Sequence, residues 1–219
     1  AEVSPYNPAT SNCSEVLLAT YDHLLTLLSD DRHLPLLRSL QRGLEKEGLR
    51  CDPQGHIAQT PHPKGLGSAL THPAITTDYS EALLEFITPV FTSAHEASAF
   101  LEIAHRFAYQ QMNGELIWPA SMPCILNGEM SIPIADYGDS NLGKLKHVYR
   151  HGLWHRYGRT MQAISGIHYN FSLPDGLLEL LAAEEGRTAD KDFVSERYLR
   201  LIRNFRRHGW LLMYLFGAS

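Results

Sequence analysis

The chain has 219 residues, 44% hydrophobic and 20% charged, enough for one domain with a sizeable core or for a domain with a smaller lobe. Its formal net charge of −5 argues against a nucleic-acid partner, and no apolar run, "WLLMYLF" being the longest, reaches the length of a membrane span. Cys13, Cys51 and Cys124 are odd in number, far apart and without a CxxC, so neither a disulfide framework nor a zinc knuckle is indicated, which suits a reducing cytoplasm.

In chain order, the opening "AEVSPYNPATSNC" lacks the basic and apolar regions of a signal peptide. Leu and Val then recur at helical spacing over residues 14–41, with a break before Pro35, predicting two helices. "GLEKEGLRCDPQGHIAQT" predicts a hairpin: a strand, a turn at Asp52-Pro53-Gln54-Gly55 and a returning strand. "SEALLEFITP", ended by Pro89, predicts a strand. A long helix is expected from Ser93, where Ser93 and Glu96 form a capping box, with Ala97, Phe100, Ala104 and Phe107 as its apolar face and Gly114 beyond its end. "DSNLGKLKHVYRHGLWHRYG" reads as a basic helix, "SGIHYNFSLP" as an alternating strand, and residues 190–208 as a last helix. Strands mixed with helices without regular βαβ units predict an α+β fold with a largely antiparallel sheet. The missing initial Met and the finish inside an apolar segment, "YLFGAS", lead us to expect a piece of a longer polypeptide.

Alternation along a strand places Glu45 and Glu47 on one face, with Leu44 and Lys46 on the other. In the same way Glu81, Leu83 and Glu85 share a face, approached by Asp78, and His168, Asn170 and Ser172 share another, opposite Ile167, Tyr169, Phe171 and Leu173. If these strands are neighbours, four or five carboxylates and an imidazole meet on one surface. Such clustering is costly without cations, and an oxygen-rich set suits Mg²⁺ or Mn²⁺ and hence a nucleotide triphosphate. The competing reading is the solvated outer face of an antiparallel sheet, where Glu alternating with Leu is ordinary. Periodicity alone leaves both open.

Three other patterns weigh less. His147, His151 and His155 recur every four residues, but Lys144, Lys146, Arg150 and Arg156 share that helix and no carboxylate does, so a partly packed helix face is expected. The arginines of "RYLRLIRNFRRHG" lie opposite Tyr198, Leu201, Ile202 and Phe205, as on an amphipathic helix. "GLGSALTH" lacks the Lys-Ser/Thr of a phosphate-binding loop.

The words "RGLEKEGLR", "HPKGLGSALTHPAITTDYSEALLEFITP", "WPASMPC", "YGDSNLGKLKHVYRHGL", "RYGRTMQAISGIHYNFSLP" and "LIRNFRRHGWLLMYLFGAS" resemble the proteobacterial glutamate–cysteine ligases. The resemblance runs in order over residues 37–219 and is weak before that and over residues 177–193. It divides the chain into a tail and helix, residues 1–36, and the N-terminal part of a catalytic domain, residues 37–219. It implies a glutamine-synthetase-like fold, a curved, mainly antiparallel sheet forming a funnel with helices outside. It further implies an ATP-dependent ligase of glutathione biosynthesis, in which the γ-carboxylate of L-glutamate takes a phosphoryl group from ATP and the amine of L-cysteine then displaces phosphate. Carried over residue by residue, Glu45, Glu47, Asp78, Glu85 and His168 would hold Mg²⁺ or Mn²⁺ around the phosphates. Glu45, Glu85 and His168 would act at the reaction itself, and Glu45, Glu47 and Asp78 at the nucleotide. Tyr149, Arg150, Gln162 and Asn170 would face the amino-acid substrates, Arg150 pairing a carboxylate, while Glu81 would support the metal residues from behind. The remainder of a longer polypeptide would complete the site, with no nucleic-acid or membrane partner. A related carboxylate–amine ligase with another amine acceptor, or an inactive piece that acts only as a binding partner, remain as alternatives.

Overall fold

The computed structural model describes residues 13–217. Residues Gln41–Ser172 form one compact unit, and the segments up to Leu40 and from Leu173 onward form a second. Part of the expected N-terminal tail, residues 1–12, lies outside the described residues.

The second unit is helical. It comprises α1 (Cys13–Leu28), α2 (Leu34–Arg38) and further helices that follow the first unit in the chain. The break between α1 and α2 falls before Pro35, as expected.

In the first unit the strands are β1 (Gln41–Cys51), β2 (Ile75–Thr77), β3 (Leu83–Ile87), β4 (Leu116–Ile117) and β5 (Ile167–Ser172), with helices α3 (Ala94–Gln111) and α4 (Asn141–Tyr157). The expected α+β architecture is present, and every strand pair is antiparallel. The long β1 pairs with β3 along one edge and with β5, then β4, along the other; β2 flanks β3.

The expected hairpin is cut short. Asp52 Oδ1 accepts hydrogen bonds from Gln54 N and His56 N, and Gly55 adopts a positive φ of 86°, so the turn forms as read. The return is only a bridge at Ile57, because Arg50 receives Ala58 N at its carbonyl while giving its own N–H to Ala82 O. That edge of β1 is shared with the turn before β3, and no second strand fits beside it.

The two faces of the sheet are filled differently. Ile75, Leu84 and Phe86 pack under Ala104 and Ala108 of α3 and Met112 just past its end. Ser93 Oγ caps α3 by accepting Glu96 N; of the expected face Ala97 and Ala104 are buried and Phe100 is half-buried, but Phe107 is 40% exposed and Ala108 is buried instead, which corrects that position. Alanines let the helix lie close on the strands, whereas a phenylalanine there would hold it off. On the other face, Leu49, Cys51 and Leu83 are covered by Ile57, Tyr79, Ile132 and Ala163. Further along that same face, past Leu49 and Leu83, stand the carboxylates.

The helical unit also holds α5 (Asp175–Glu184), which the residue patterns above do not predict, and α6 (Lys191–His208), capped by Asp190 accepting Phe193 N. Buried Phe193 lies between the guanidiniums of Arg187 and Arg197, at 4.8 and 4.5 Å. Arg187 pairs with Glu196 at 2.8 Å and Arg197 with Glu185, so these cations are held in ion pairs. The apolar side of α6, with Leu201, Ile202 and Phe205, is exposed. The last apolar run forms the short α7 (Trp210–Phe216), and among the described residues no helix is long and apolar enough to cross a membrane.

Candidate functional site

Sheet register assembles the acidic surface. Glu47 stands directly opposite Glu85, and Glu45 directly opposite His168. Like charges facing each other across antiparallel strands are unfavourable, so each carboxylate needs compensation.

Glu45 has it. His168 Nδ1 lies 3.0 Å from its Oε2, and Asn170 Nδ2 donates to its Oε1 at 2.7 Å. The contact with His168, then that with Asn170, holds the Glu45 carboxyl below its usual range, and the same contact raises the imidazole of His168. Glu47 is served less well. Gly166 N–H donates to its Oε2 at 2.8 Å, yet burial pushes its carboxyl up, with Asp78 and Glu45 adding to the rise. Glu85 has no side-chain partner among the described residues. Burial first, then the charges of Asp78, Glu47 and Glu45, raise its carboxyl to about 7.

Asp78 stands where the chain leaves β2, its side chain 46% exposed. Its backbone carbonyl accepts Arg150 Nε at 2.6 Å, and Arg150 Nη2 is 4.0 Å from its Oδ1. Arg150 is 8% exposed and also donates through Nη1 to Lys146 O. The residue expected to pair a substrate carboxylate is therefore bound first to the turn that carries Asp78.

Glu81 leaves the face. It lies in the turn before β3, and its carboxylate accepts His62 N at 2.7 Å and Asp136 N at 2.8 Å, fastening two loops. Strand alternation misplaced it because the strand starts only at Leu83. Tyr149 is 63% exposed on α4, and Gln162 is half-buried in the helical turn Thr160–Ala163; neither is hydrogen-bonded to the acidic residues. His147 Nδ1 is 3.0 Å from Ala135 O and its Nε2 is 3.1 Å from that of His151, while His155 stacks on Trp154, which is the partly packed face expected.

A cavity of about 420 Å³, bordered by Arg50, Thr60, His62, Lys64, Gln111 and Glu115, opens on the other face of β1. There the guanidinium of fully buried Arg50 is taken up by Glu115 and Thr60, which makes the group a support for the sheet end.

Oxygen donors with one imidazole, an unpaired half-buried carboxylate and a local surplus of negative charge suit a hard divalent cation. As the side chains lie, no three described Asp, Glu, His or Cys residues enclose a single ion. Glu45 is turned to His168 and Asn170, and Glu47 meets Gly166 through Oε2 alone, so each carboxylate is held in place with lone pairs left over for an ion.

Residues 25–219 match the family model for glutamate-cysteine ligase. The chain is 58% identical over 203 residues to the glutamate–cysteine ligase of Azotobacter vinelandii, covering 91% of this chain and 38% of that protein. It is 60% identical over 188 residues to the same enzyme of Pseudomonas putida, covering 85% and 36%. Among solved structures it is similar to a glutamate–cysteine ligase from Francisella tularensis in complex with AMP, with a TM-score of 0.76 and 42% identity over 83% of this chain and 35% of that one. A bifunctional glutathione synthetase from Pasteurella multocida gives a TM-score of 0.77 and 33% identity over 92% and 25%. The chain spans somewhat more than a third of the length of the curated relatives it matches.

Proposed function

The chain belongs to the glutamate–cysteine ligase family, and from that premise we propose that it carries the phosphate-handling part of an ATP-dependent ligase joining the γ-carboxylate of L-glutamate to the amine of L-cysteine in glutathione biosynthesis. The observation that carries the reading is the register that sets Glu47 against Glu85 and Glu45 against His168 on one sheet face. In the competing picture of a solvated outer face, no reason exists for Glu85 to be half-buried with no partner among the described residues.

Glu45, Glu47, Asp78, Glu85 and His168 would hold Mg²⁺ or Mn²⁺, which when bound supplies positive charge against the triphosphate. The protein's own groups do the rest. Asn170 and His168 orient Glu45, and Gly166 N–H orients Glu47, so the acidic face is shaped before nucleotide arrives. At neutral pH Glu85 stands near its midpoint and gives up its proton when positive charge approaches. The γ-carboxylate oxygen of glutamate attacks the terminal phosphorus of ATP and ADP leaves. The nitrogen of cysteine then attacks the acyl carbon, phosphate leaves with the electron pair of the broken C–O bond, and the amine sheds a proton. Holding both reactants in line supplies most of the rate. Tyr149, Gln162, Asn170 and the outer edge of Arg150 would line the amino-acid pocket, and the length of the relatives that this chain does not cover would close it. The reaction belongs to a cytoplasmic enzyme.

The test is phosphate release by the full-length protein with glutamate, Mg²⁺-ATP and either cysteine or other amines. Release that requires both glutamate and cysteine is expected. Release with another amine in preference to cysteine would replace the reading with that of a related carboxylate–amine ligase, and binding of nucleotide without release would leave only a binding role.

A further inference from the structure

Asp78 hangs on a turn whose position is set from outside the strands. Residues 133–136 strap that turn: Ala135 N donates to Tyr79 O at 3.0 Å, Ser80 Oγ to Pro133 O at 2.8 Å and Asp136 N to Glu81 at 2.8 Å. Next in the chain comes Tyr137, 7% exposed, whose hydroxyl proton is shared between Thr77 O at 2.5 Å and Asp78 O at 3.0 Å. The ring of the same tyrosine lies under the Arg150 guanidinium at 4.7 Å and the Lys146 ammonium at 4.8 Å. Arg150 in turn donates to Asp78 O.

Helix α4 is locked to this strap over successive turns. A Cβ on Gly143 would fall 2.6 Å from Tyr137 O and 2.5 Å from Gly138 O, so the first turn of the helix rests directly on the backbone of Tyr137. One turn on, His147 meets Ala135 O, and after it Arg150 reaches the tyrosine ring. Burial raises the Tyr137 phenol above its ordinary value, so it remains a donor at physiological pH. Tyr137 thus touches the Asp78 turn with its hydroxyl and the Arg150 guanidinium with its ring.

We propose that Tyr137 is a positioning residue of the acidic site, holding Asp78 toward Glu47 and Glu85 and setting Arg150 beside it. The inference rests on the proposed cation-binding reading of those carboxylates. It acts through a backbone carbonyl, and Tyr137 itself meets no substrate.

The experiment uses the full-length protein with Tyr137→Phe, Tyr137→Leu and Asp78→Asn, and three readouts: binding of Mn²⁺ alone, thermal midpoint, and the Mg²⁺ dependence of turnover. Tyr137→Phe keeps the ring beneath Arg150 and so keeps the midpoint near wild type. It should weaken Mn²⁺ binding by about tenfold, the lower end of what losing an outer support costs a metal site. Its Mg²⁺ requirement should rise while kcat at saturating Mg²⁺ largely recovers. Tyr137→Leu, which also frees Arg150, should not recover. Wild-type Mn²⁺ affinity in Tyr137→Phe, together with a loss in Asp78→Asn, would overturn the positioning role and leave the cation site intact. Unchanged Mn²⁺ binding in Asp78→Asn would remove the cation reading of Asp78 and this inference with it.

Discussion

Glu85 combines half-burial, a facing carboxylate and no partner of opposite charge among the described residues. Because its folded value, about 7, lies above its ordinary 4.5, the folded chain keeps a proton that the unfolded chain has lost between those values. Its contribution to stability is therefore present at low pH and declines as pH rises from about 4.5 to about 7. Glu85→Gln removes that decline, so the metal-free variant should lose less stability than wild type between pH 5 and pH 8, read from thermal midpoints. Its turnover should nevertheless fall by about 10- to 100-fold. Near-normal turnover at low Mg²⁺ would count against Glu85 as a ligand. Two half-buried histidines work in the opposite direction. His62 and His105 are depressed, first by burial, below 6.5, and His105 stacks on Phe86 at 4.0 Å with its Nε2 unpartnered. Their stability contribution is present above pH 6.5 and is lost as pH falls through the folded values. Denaturation of His105→Gln should depend less steeply on pH between about 6.5 and 5 than wild type, whatever its absolute stability. An unchanged slope would show that His105 does not titrate on unfolding.

At the scale of elements, close approach matters more than propensity. Gly143 has ordinary helical geometry, and what it lacks is a side chain to collide with Tyr137 O and Gly138 O. Both obstacles are backbone and cannot swing aside, so Gly143→Ala should cost about 1–3 kcal/mol, against the helix propensity gained. A midpoint raised by that change would mean that α4 is not seated where Gly143 places it. Ala82 behaves similarly. It lies in the turn before β3, fully buried with Leu49 and Leu83. Ala82→Asp would bury an unpaired charge and should destabilise by about 3 kcal/mol or more, measured by denaturant titration. Tolerance of aspartate there would show that the loop covering this cluster opens readily.

For the whole molecule, the three clusters of buried apolar side chains found among the described residues all fall between residues 41 and 172, as do all the proposed cation-binding residues. Residues 41–172 alone should therefore unfold in one cooperative transition, and Mn²⁺ at about 100 times its dissociation constant should stabilise them by about 2.7 kcal/mol through mass action. Non-cooperative melting would show that the helical unit is required for folding.

What could be read in the chain itself was whatever depends on neighbours within a few residues. Alternation places Glu45 and Glu47 together whatever else the strand meets, since it is a property of extended backbone. Ser93 and Asp190 mark helix starts for an equally local reason, and long words such as "TTDYSEALLEFITP" marked the family. The tertiary structure alone decided that Glu47 meets Glu85 and Glu45 meets His168, that Glu81 turns away to two loops, and that Arg150 and Tyr137 converge on Asp78. Glu45 and His168 are 123 residues apart, and no short-range pattern encodes strand register at that separation. The chemistry of the acidic face depends on that register twice over: Coulomb repulsion follows the distances it sets, and desolvation follows the burial it creates.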